Sequence, residues 1–294
     1  MNEAIVIPTH RSGIKFLNNL LSSFKGYDKY PVVIVINDYK HGDMREFSEI
    51  KKKHSRIPIT IETIETNSFE FGGLYTAYHK TAYDEFLLLP DSCEIVNPDL
   101  LDTVFKRHEG KSVAFGLGEG GWHKFWKGLD SANKEFAEKY IDKDANALLV
   151  NIGDFKYWQG HAGKFRRAIL DKMDLEKYLP LNKIEAVVKG EFLFTYSYHL
   201  LDQDTVVLFS DWKDGDTYET KLGRRRMKIS NEYIIKWKAY NSPFLIIDEM
   251  RASHGSIADK AKRLVQTKCP AAYSFLKETK KILSDVFLKT VNKH

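Results

Sequence analysis

Apolar runs and amphipathic stretches alternate along the first 90 residues. Residues 14–24 place apolar side chains at helical spacing, and helices are also expected over 43–54 and 70–82. Four segments around them have the apolar or alternating pattern of buried strands: 4–8, 31–36, 57–64 and 86–89. This order of strand and helix is typical of a doubly wound, mostly parallel α/β sheet.

The pattern continues more loosely after residue 100. Three further strands are expected over residues 112–116, 205–209 and 243–247. From residue 257 onward, apolar and basic positions follow each other as in one or two amphipathic helices divided by Pro270. We therefore expect an α/β domain over residues 1–256 and a basic helical extension over residues 257–294.

Charge is unevenly distributed between these two parts. Residues 257–294 hold nine Lys or Arg against three acids, a net charge of +6, while the whole chain has +5. The first 256 residues are therefore close to neutral, which argues against a nucleic-acid-binding body. The basic extension can lie on an anionic membrane surface or pack its apolar side on the body.

Cysteine usage and hydropathy indicate the compartment. The two cysteines, Cys93 and Cys269, are far apart and lack metal-site spacing, so neither a disulfide framework nor a zinc site is expected. No apolar run approaches the roughly 20 residues that cross a bilayer, and the first residues lack the features of a secretory signal. We expect a cytoplasmic protein, with peripheral contact at the membrane's cytoplasmic face through residues 257–294.

Three of the predicted strands end in polar residues. Residues 9–11 are Thr-His-Arg, Asn37 and Asp38 follow the second strand, and Asp91 and Ser92 follow the fourth. Ligands bind at the carboxyl ends of the strands in open α/β sheets, so an arginine and two carboxylates are expected to converge there. Neither the Gly-x-Gly-x-x-Gly dinucleotide motif nor a Walker phosphate loop is present.

The order of these motifs resembles glycosyltransferases of the GT-A fold, of the broad family 2 type. Residues 5–11 are similar to the family's opening strand, residues 35–38 to its second strand end, and residues 88–93 stand where the family has Asp-x-Asp. The resemblance covers residues 4–100 and, more loosely, the chain to about residue 210. It implies a GT-A-like, mostly parallel sheet flanked by helices, with the C-terminal helical extension added to it.

The function that this resemblance implies is sugar transfer from a nucleotide-sugar donor, expected to be UDP-linked. The implied acceptor is a glycan or lipid-linked molecule, and the implied outcome is inversion by direct displacement. Asp38 and Arg11 would position the nucleotide, and Asp91 would orient the metal and the diphosphate. The donor-binding residues implied in this way are Pro8, Thr9, Arg11, Asn37, Asp38, Gly73, Asp91 and Ser92.

One position departs from the family pattern. Cys93 stands where Asp-x-Asp has its second carboxylate, and a thiol is a poor ligand for hard divalent ions such as Mg²⁺. Three alternatives remain open: Asp91 holds Mn²⁺ or Mg²⁺ with outside help, Glu94 substitutes, or the enzyme works without a metal. We favour the first. His254 resembles a histidine that several GT-A enzymes place after a late strand as a metal or diphosphate contact.

Candidate residues for the chemistry lie in the second half. The resemblance places the catalytic base at Glu191, with Glu185 as the second choice, because displacement needs a carboxylate to accept the proton of the acceptor hydroxyl. A plain alternative for Glu191 is a helix acid favoured by the macrodipole. Trp122, in a glycine-rich loop, and His161, in a second glycine-rich stretch, are the predicted acceptor contacts. The plain alternative for Trp122 is a core tryptophan at the start of an ordinary helix, with Trp126 one turn later.

Two other functions remain possible from the sequence. A nucleotidyltransferase would be expected to carry a Gly-rich loop with Arg or Lys after the first strand, and here that loop is short. A GT-A-like protein that binds a nucleotide without catalysis is the other possibility, and Cys93 is the residue that favours it.

Overall fold

The computed structural model describes residues 2–24, 29–39, 44–118, 157–158, 162–181, 185–209, 213–214, 217–220 and 223–238. The strand expected over 243–247 and the helical extension expected over 257–294 lie outside these residues. The division at residue 256 therefore stays a prediction.

Strand and helix alternate through the first 90 residues as the periodicity predicted. The strands are β1 (Glu3–His10), β2 (Val32–Asn37), β3 (Ile59–Thr63) and β4 (Glu85–Leu88). The helices are α1 (Ile14–Ser23), α2 (Arg45–Lys53) and α3 (Phe69–Lys80), and a single 3-10 turn, Arg11–Gly13, joins β1 to α1. None of the helices in the described part of the chain is long and apolar enough to span a membrane.

A seven-stranded sheet forms the centre of this fold. Its other members are β6 (Val113–Ala114), β9 (Gly163–Arg166) and β10 (Val206–Val207), and the strand order is β10-β6-β9-β4-β1-β2-β3. The pairs β1–β2, β1–β4, β2–β3 and β6–β10 are parallel, whereas β9 runs antiparallel to both β4 and β6. The expected α/β fold with a mostly parallel sheet is confirmed. The antiparallel strand β9 was not predicted, because Gly163–Arg166 is short and contains a single large apolar side chain, Phe165.

A second sheet lies beyond the end of β4. It contains β5 (Cys93–Ile95), β11 (Lys213–Asp214), β13 (Gly223–Ser230) and β14 (Ile234–Lys238) in the order β11-β13-β14-β5, and β12 (Thr217–Thr220) pairs with β13. A two-stranded sheet joins β7 (Leu117–Gly118) to β8 (Tyr157–Trp158). The β5–β14 pairing matters for the site, because it brings a late part of the chain to the turn after β4.

The remaining helical segments are short or irregular. A helix, Asp99–Asp102, continues as the π-helical turn Thr103–Arg107. Later come the helix Arg167–Leu170, the 3-10 turn Leu175–Tyr178, and the π-helical stretch Ala186–Phe194, which continues as the helix Thr195–Leu201.

Both faces of the large sheet are covered by apolar side chains. Successive residues of a strand face opposite sides, so Ile5 and Ile7 pack with Leu17 of α1, whereas Val6 packs with Phe71 of α3. Burial on both faces explains why β1, β2 and β4 are continuous apolar runs rather than alternating ones.

Candidate functional site

The carboxyl ends of β1 and β4 meet through a side-chain hydrogen bond. Thr9 Oγ1 donates to Asp91 Oδ2 over 2.7 Å. Asp91 lies in a turn that the backbone N–H of Cys93 closes by donating to the carbonyl of Pro90 over 2.9 Å. Ser92, in the same turn, is buried. Two of the predicted donor-site strand ends are thereby brought into direct contact.

Gly13 leaves the space that the Asp91 carboxylate occupies. A Cβ atom at residue 13 would lie 2.2 Å from Asp91 Oδ2 and 2.9 Å from Thr9 Oγ1. The backbone of Gly13 has φ −86°, which any residue adopts, so glycine is required here for space. Sequence reasoning missed this residue, because a glycine at the start of a helix carries no chemical signal of its own.

Asn37 holds the ends of β1 and α3 together. Its Nδ2 donates to the carbonyl of Phe69 over 3.1 Å and to the carbonyl of Thr9 over 3.4 Å. The residue is buried, and among the described residues its Oδ1 has no hydrogen-bond partner. Asn37 therefore positions the backbone beneath the site.

Backbone strain is concentrated beside Asn37. Asp38 has φ 56° and Phe69 has φ 50°, and they are the only non-glycine residues with positive φ in the described part of the chain. The N–H of Asp38 donates to the carbonyl of Thr66 over 3.2 Å, which helps to hold this conformation. Strained residues cluster at ligand sites when the surrounding structure supports them. Here they leave the Asp38 side chain exposed at the strand end.

His10 brings a ring nitrogen towards Asp38. The backbone N–H of Ser12 donates to His10 Nδ1 over 3.2 Å, so Nδ1 is an acceptor and the proton of the neutral ring is on Nε2. His10 Nε2 lies 3.7 Å from Asp38 Oδ2. His10 was not among the predicted site residues, although it stands between two that were.

Arg11 lies beside a carboxylate that was not among the predicted site residues. Its Nε lies 3.9 Å from Glu46 Oε2 on α2, and both side chains are exposed. Gly73 and Pro8 lie against each other, since a Cβ atom at Gly73 would be 2.7 Å from Pro8 Cβ. Their close contact lets α3 approach β1, which places the start of α3 at this edge.

The side chain at position 93 belongs to the core. Cys93 is 1% exposed and packs in the same apolar cluster as Leu89 and Ile95. Glu94 Oε2 accepts a 2.9 Å hydrogen bond from Asn19 Nδ2 on α1. Among the described residues, no group of three or more His, Cys, Asp or Glu side chains is arranged to hold a metal ion. The described residues by themselves therefore do not form a complete set of metal ligands.

The two candidate bases have different surroundings. Glu185 is buried, and its Oε2 accepts hydrogen bonds from the N–H of Leu181 (3.1 Å) and from Lys189 Nζ (2.9 Å). Glu191 is half-buried, one turn before Thr195, whose hydroxyl donates to the Glu191 carbonyl. The Glu185 carboxylate is thus held by Lys189, one turn later, and by the backbone of Leu181, which precedes the helical stretch. The other candidates, Trp122, His161 and His254, lie outside the described residues.

A second polar cluster lies at the amino-terminal ends of β1 and β4. Arg166 donates to Asp202 Oδ2 over 2.9 Å, and the Ser112 and Tyr198 hydroxyls are 2.6 Å apart. Burial raises the pKa of Tyr198 well above its usual value. Arg167 donates to three backbone carbonyls, those of Tyr78, Thr81 and Tyr83. Both arginines therefore bind groups of the protein itself.

Three comparisons with known proteins were made. No protein-family model and no curated protein matches the chain. Among solved structures, TarS of S. aureus is 18% identical with a TM-score of 0.44, and the match covers 90% of this chain and 42% of that one. This chain therefore spans less than half the length of that TarS structure.

Two further solved structures are similar to a comparable degree. A mannosyltransferase of Pyrobaculum calidifontis, in complex with GDP-Man and Mn²⁺, is 13% identical with a TM-score of 0.40, covering 61% of this chain and 49% of that one. Glucosyl-3-phosphoglycerate synthase of Mycobacterium tuberculosis, in complex with Mn²⁺, UDP and its glucosyl product, is 11% identical with a TM-score of 0.41, covering 71% and 70%. Similarity at these values does not assign a function to this chain.

Proposed function

We propose that this protein is a glycosyltransferase that moves a sugar from a nucleotide-sugar donor to a glycan or lipid-linked acceptor. The observation that carries the proposal is the Thr9–Asp91 hydrogen bond, which joins two strand ends at the edge where open α/β sheets bind ligands. Asp38, beside His10 on the neighbouring strand end, supplies a second carboxylate at that edge. These residues are the ones through which the sequence resembles family 2 enzymes.

The donor would be bound along this edge, with its nucleoside at Asp38 and its diphosphate and sugar towards Asp91. Exposed Asp38 can accept hydrogen bonds from ribose hydroxyls or from a nucleobase N–H. Asp91, held by Thr9, presents a carboxylate of fixed orientation to sugar hydroxyls. Preorganised acceptors of this kind limit the entropy lost on binding. We expect a UDP-linked donor.

Glu191 is the proposed base of a single displacement. The acceptor oxygen forms a bond to the anomeric carbon, the bond between that carbon and the phosphate oxygen breaks, and the nucleoside diphosphate leaves with the electron pair. The acceptor's proton passes to the Glu191 carboxylate. Attack opposite the leaving group inverts the anomeric centre. Glu185 is less suited, because Lys189 and the N–H of Leu181 already hold its carboxylate.

A divalent ion remains part of the sequence-based expectation, with Asp91 and His254 as ligands. Among the described residues, Asp91 does not belong to a group of three or more His, Cys, Asp or Glu side chains arranged to hold a metal ion. We therefore assign no step of the reaction to a metal. A nucleotidyltransferase is disfavoured, because only the three residues Arg11–Gly13 separate β1 from α1 and leave little loop for a triphosphate.

The direct test is to incubate the full chain with a panel of UDP- and GDP-sugars and to measure release of the nucleoside diphosphate. Glu191→Gln should abolish turnover while retaining UDP affinity, and Asp38→Ala should weaken that affinity. Asp99→Asn, at an exposed acid of the helix Asp99–Asp102, is the matched control. Absence of both nucleotide binding and turnover would reject the proposal. Binding without turnover would identify a non-catalytic nucleotide-binding protein.

A further inference from the structure

The last two residues of β1 face the carboxylates that follow its two neighbouring strands. β1 lies between β4 and β2 in the large sheet. Thr9 donates to Asp91, which follows β4. His10 Nε2 lies 3.7 Å from Oδ2 of Asp38, which follows β2, and the strand register aligns His10 with the preceding residue, Asn37. The end of β1 therefore meets both carboxylates of the proposed donor site.

The backbone determines which nitrogen of His10 carries the proton. The N–H of Ser12 donates to Nδ1 over 3.2 Å, which caps the 3-10 turn Arg11–Gly13. The Ser12 hydroxyl also lies 3.1 Å from the same nitrogen. Because Nδ1 accepts the backbone hydrogen bond, the neutral ring has its proton on Nε2. The ring therefore presents an N–H donor towards the Asp38 carboxylate.

Asp38 combines a fixed backbone with an exposed side chain. Its φ of 56° is supported by two hydrogen bonds, from its own N–H to the carbonyl of Thr66 (3.2 Å) and from the N–H of Tyr39 to the carbonyl of Ile64 (3.1 Å). The side chain is 38% exposed, and His10 lies beside its carboxylate. A side chain that rotates freely loses conformational entropy when a ligand fixes it. A neighbouring N–H donor restricts that rotation before the ligand binds.

We propose that His10 is a positioning residue for the donor's nucleoside, because its Nε2–H orients the Asp38 carboxylate that binds the nucleoside. This inference rests on the proposed function. The Nε2–Oδ2 distance of 3.7 Å is longer than a hydrogen bond, and contacts of this kind commonly shorten when a substrate binds. We expect this one to close into a hydrogen bond when the nucleoside is bound. His10 then holds Asp38 as Thr9 holds Asp91.

Two substitutions separate the roles of the two ring nitrogens. Asparagine places its amide oxygen near the position of Nδ1 and can still cap the N–H of Ser12, but it is too short to reach Asp38. Glutamine places its amide nitrogen near the position of Nε2 and can still donate to Asp38. In a calorimetric titration of the full chain with UDP, His10→Asn should weaken binding by roughly three- to tenfold, and His10→Gln should stay within about twofold of the wild type. The matched control is His79→Asn, at an exposed histidine of α3, which should not alter the affinity.

A double-mutant cycle shows whether His10 acts through Asp38. In an Asp38→Ala background, His10→Asn should cause no further loss of UDP affinity, because the carboxylate that His10 orients is absent. A residue that supports only the fold would cause the same loss in both backgrounds. Urea unfolding of each variant shows whether it is folded under the conditions of the titration.

Nitrogen NMR of the imidazole ring covers the case in which the variants do not fold. In the wild type we expect the His10 signals of the tautomer that is protonated at Nε2. Addition of UDP should shift the Nε2 signal as the contact with Asp38 closes. The His79 signals should not move, since that ring lies on the exposed side of α3.

The outcomes distinguish this inference from the proposed function. Wild-type UDP affinity in a folded His10→Asn variant would overturn the role of His10 and leave the glycosyltransferase proposal standing. An equal loss in His10→Gln, an equal loss in the Asp38→Ala background, or a ring protonated at Nδ1 in the presence of UDP would do the same. If the wild type binds neither UDP nor GDP, both proposals are rejected.

Discussion

Thr9 and Asp91 are 82 residues apart in the chain, and the hydroxyl of the first donates a 2.7 Å hydrogen bond to Oδ2 of the second. Parallel pairing of β1 with β4, which aligns Val6 with Leu88, brings their ends together. The bond then sets the orientation of the one carboxylate that the turn after β4 presents at this edge. Asp91 is thereby prepared for its proposed partner before any ligand arrives.

Replacing Thr9 with valine removes the hydroxyl and keeps the β-branched shape that suits a strand. We expect the free energy of unfolding to fall by about 1 kcal/mol and the UDP affinity to fall by roughly three- to tenfold, because Asp91 loses its donor. Urea denaturation and calorimetry measure the two effects. Thr60→Val, at an exposed position of β3, is the matched control and should change neither. Wild-type UDP affinity in Thr9→Val would show that the orientation of Asp91 is unimportant.

Gly13→Ala tests the space next to Asp91. The new methyl group would lie 2.2 Å from Asp91 Oδ2, so we expect a loss of about 1–3 kcal/mol in unfolding free energy and weaker UDP binding. An Asp91→Ala background removes the contact with Oδ2 and leaves only the 2.9 Å approach to Thr9 Oγ1, so the same substitution should cost less there. The coupling energy comes from urea denaturation of the four proteins of this double-mutant cycle. Equal costs in both backgrounds would contradict the contact.

The buried pair Lys164–Glu85 supports the sheet away from the site. Glu85 is 1% exposed and also accepts a 2.8 Å bond from the N–H of Gly110, while burial lowers the pKa of Lys164. Lys164→Met removes the cationic partner of the buried Glu85 carboxylate, so we expect a loss of about 3–5 kcal/mol in unfolding free energy. Lys106→Met breaks an exposed pair and should cost about 0–1 kcal/mol. Thermal and urea unfolding measure both losses. Equal losses in the two variants would contradict a stabilising role of the buried pair.

His54 makes stability depend on pH. Burial, and then the charge of Lys53, lower the pKa of His54 below its ordinary value of 6.5. The unfolded chain therefore binds this proton at a higher pH than the folded one. Its contribution to stability is complete above pH 6.5 and is lost as the pH falls from there through the folded pKa.

The variant that tests this is His54→Gln. In the wild type, His54 Nε2 lies 3.1 Å from Asn18 Oδ1, and the glutamine amide can still donate to that oxygen. Urea unfolding at about pH 7.5 and pH 5 should show a smaller loss on acidification than in the wild type. Burial also lowers the pKa of His108, so part of the dependence of unfolding free energy on pH should remain in this variant. If the unfolding free energy of His54→Gln depends on pH as strongly as that of the wild type, His54 is not a source of this dependence.

The local pattern of apolar and polar residues was sufficient to predict the strands and helices that build the candidate site. The continuous apolar runs of β1, β2 and β4 predict strands covered on both faces, and such strands run parallel in α/β folds. Parallel strands share a carboxyl edge, so Thr9, Asn37 and Asp91 could be assigned to one place before any contact was known. This part follows from the chain alone, because periodicity and strand ends are properties of short segments.

The tertiary structure decided which side chains lie at that edge. Cys93 was taken as the missing carboxylate position, yet the turn after β4 directs it into the core, and β14 instead brings Lys236 opposite it. Arg11 lies beside Glu46, and Gly13 is needed only because Asp91 occupies the adjacent space. The pairing of distant strands and the packing of side chains depend on contacts between residues far apart in the chain. The sequence of a short segment does not determine such contacts.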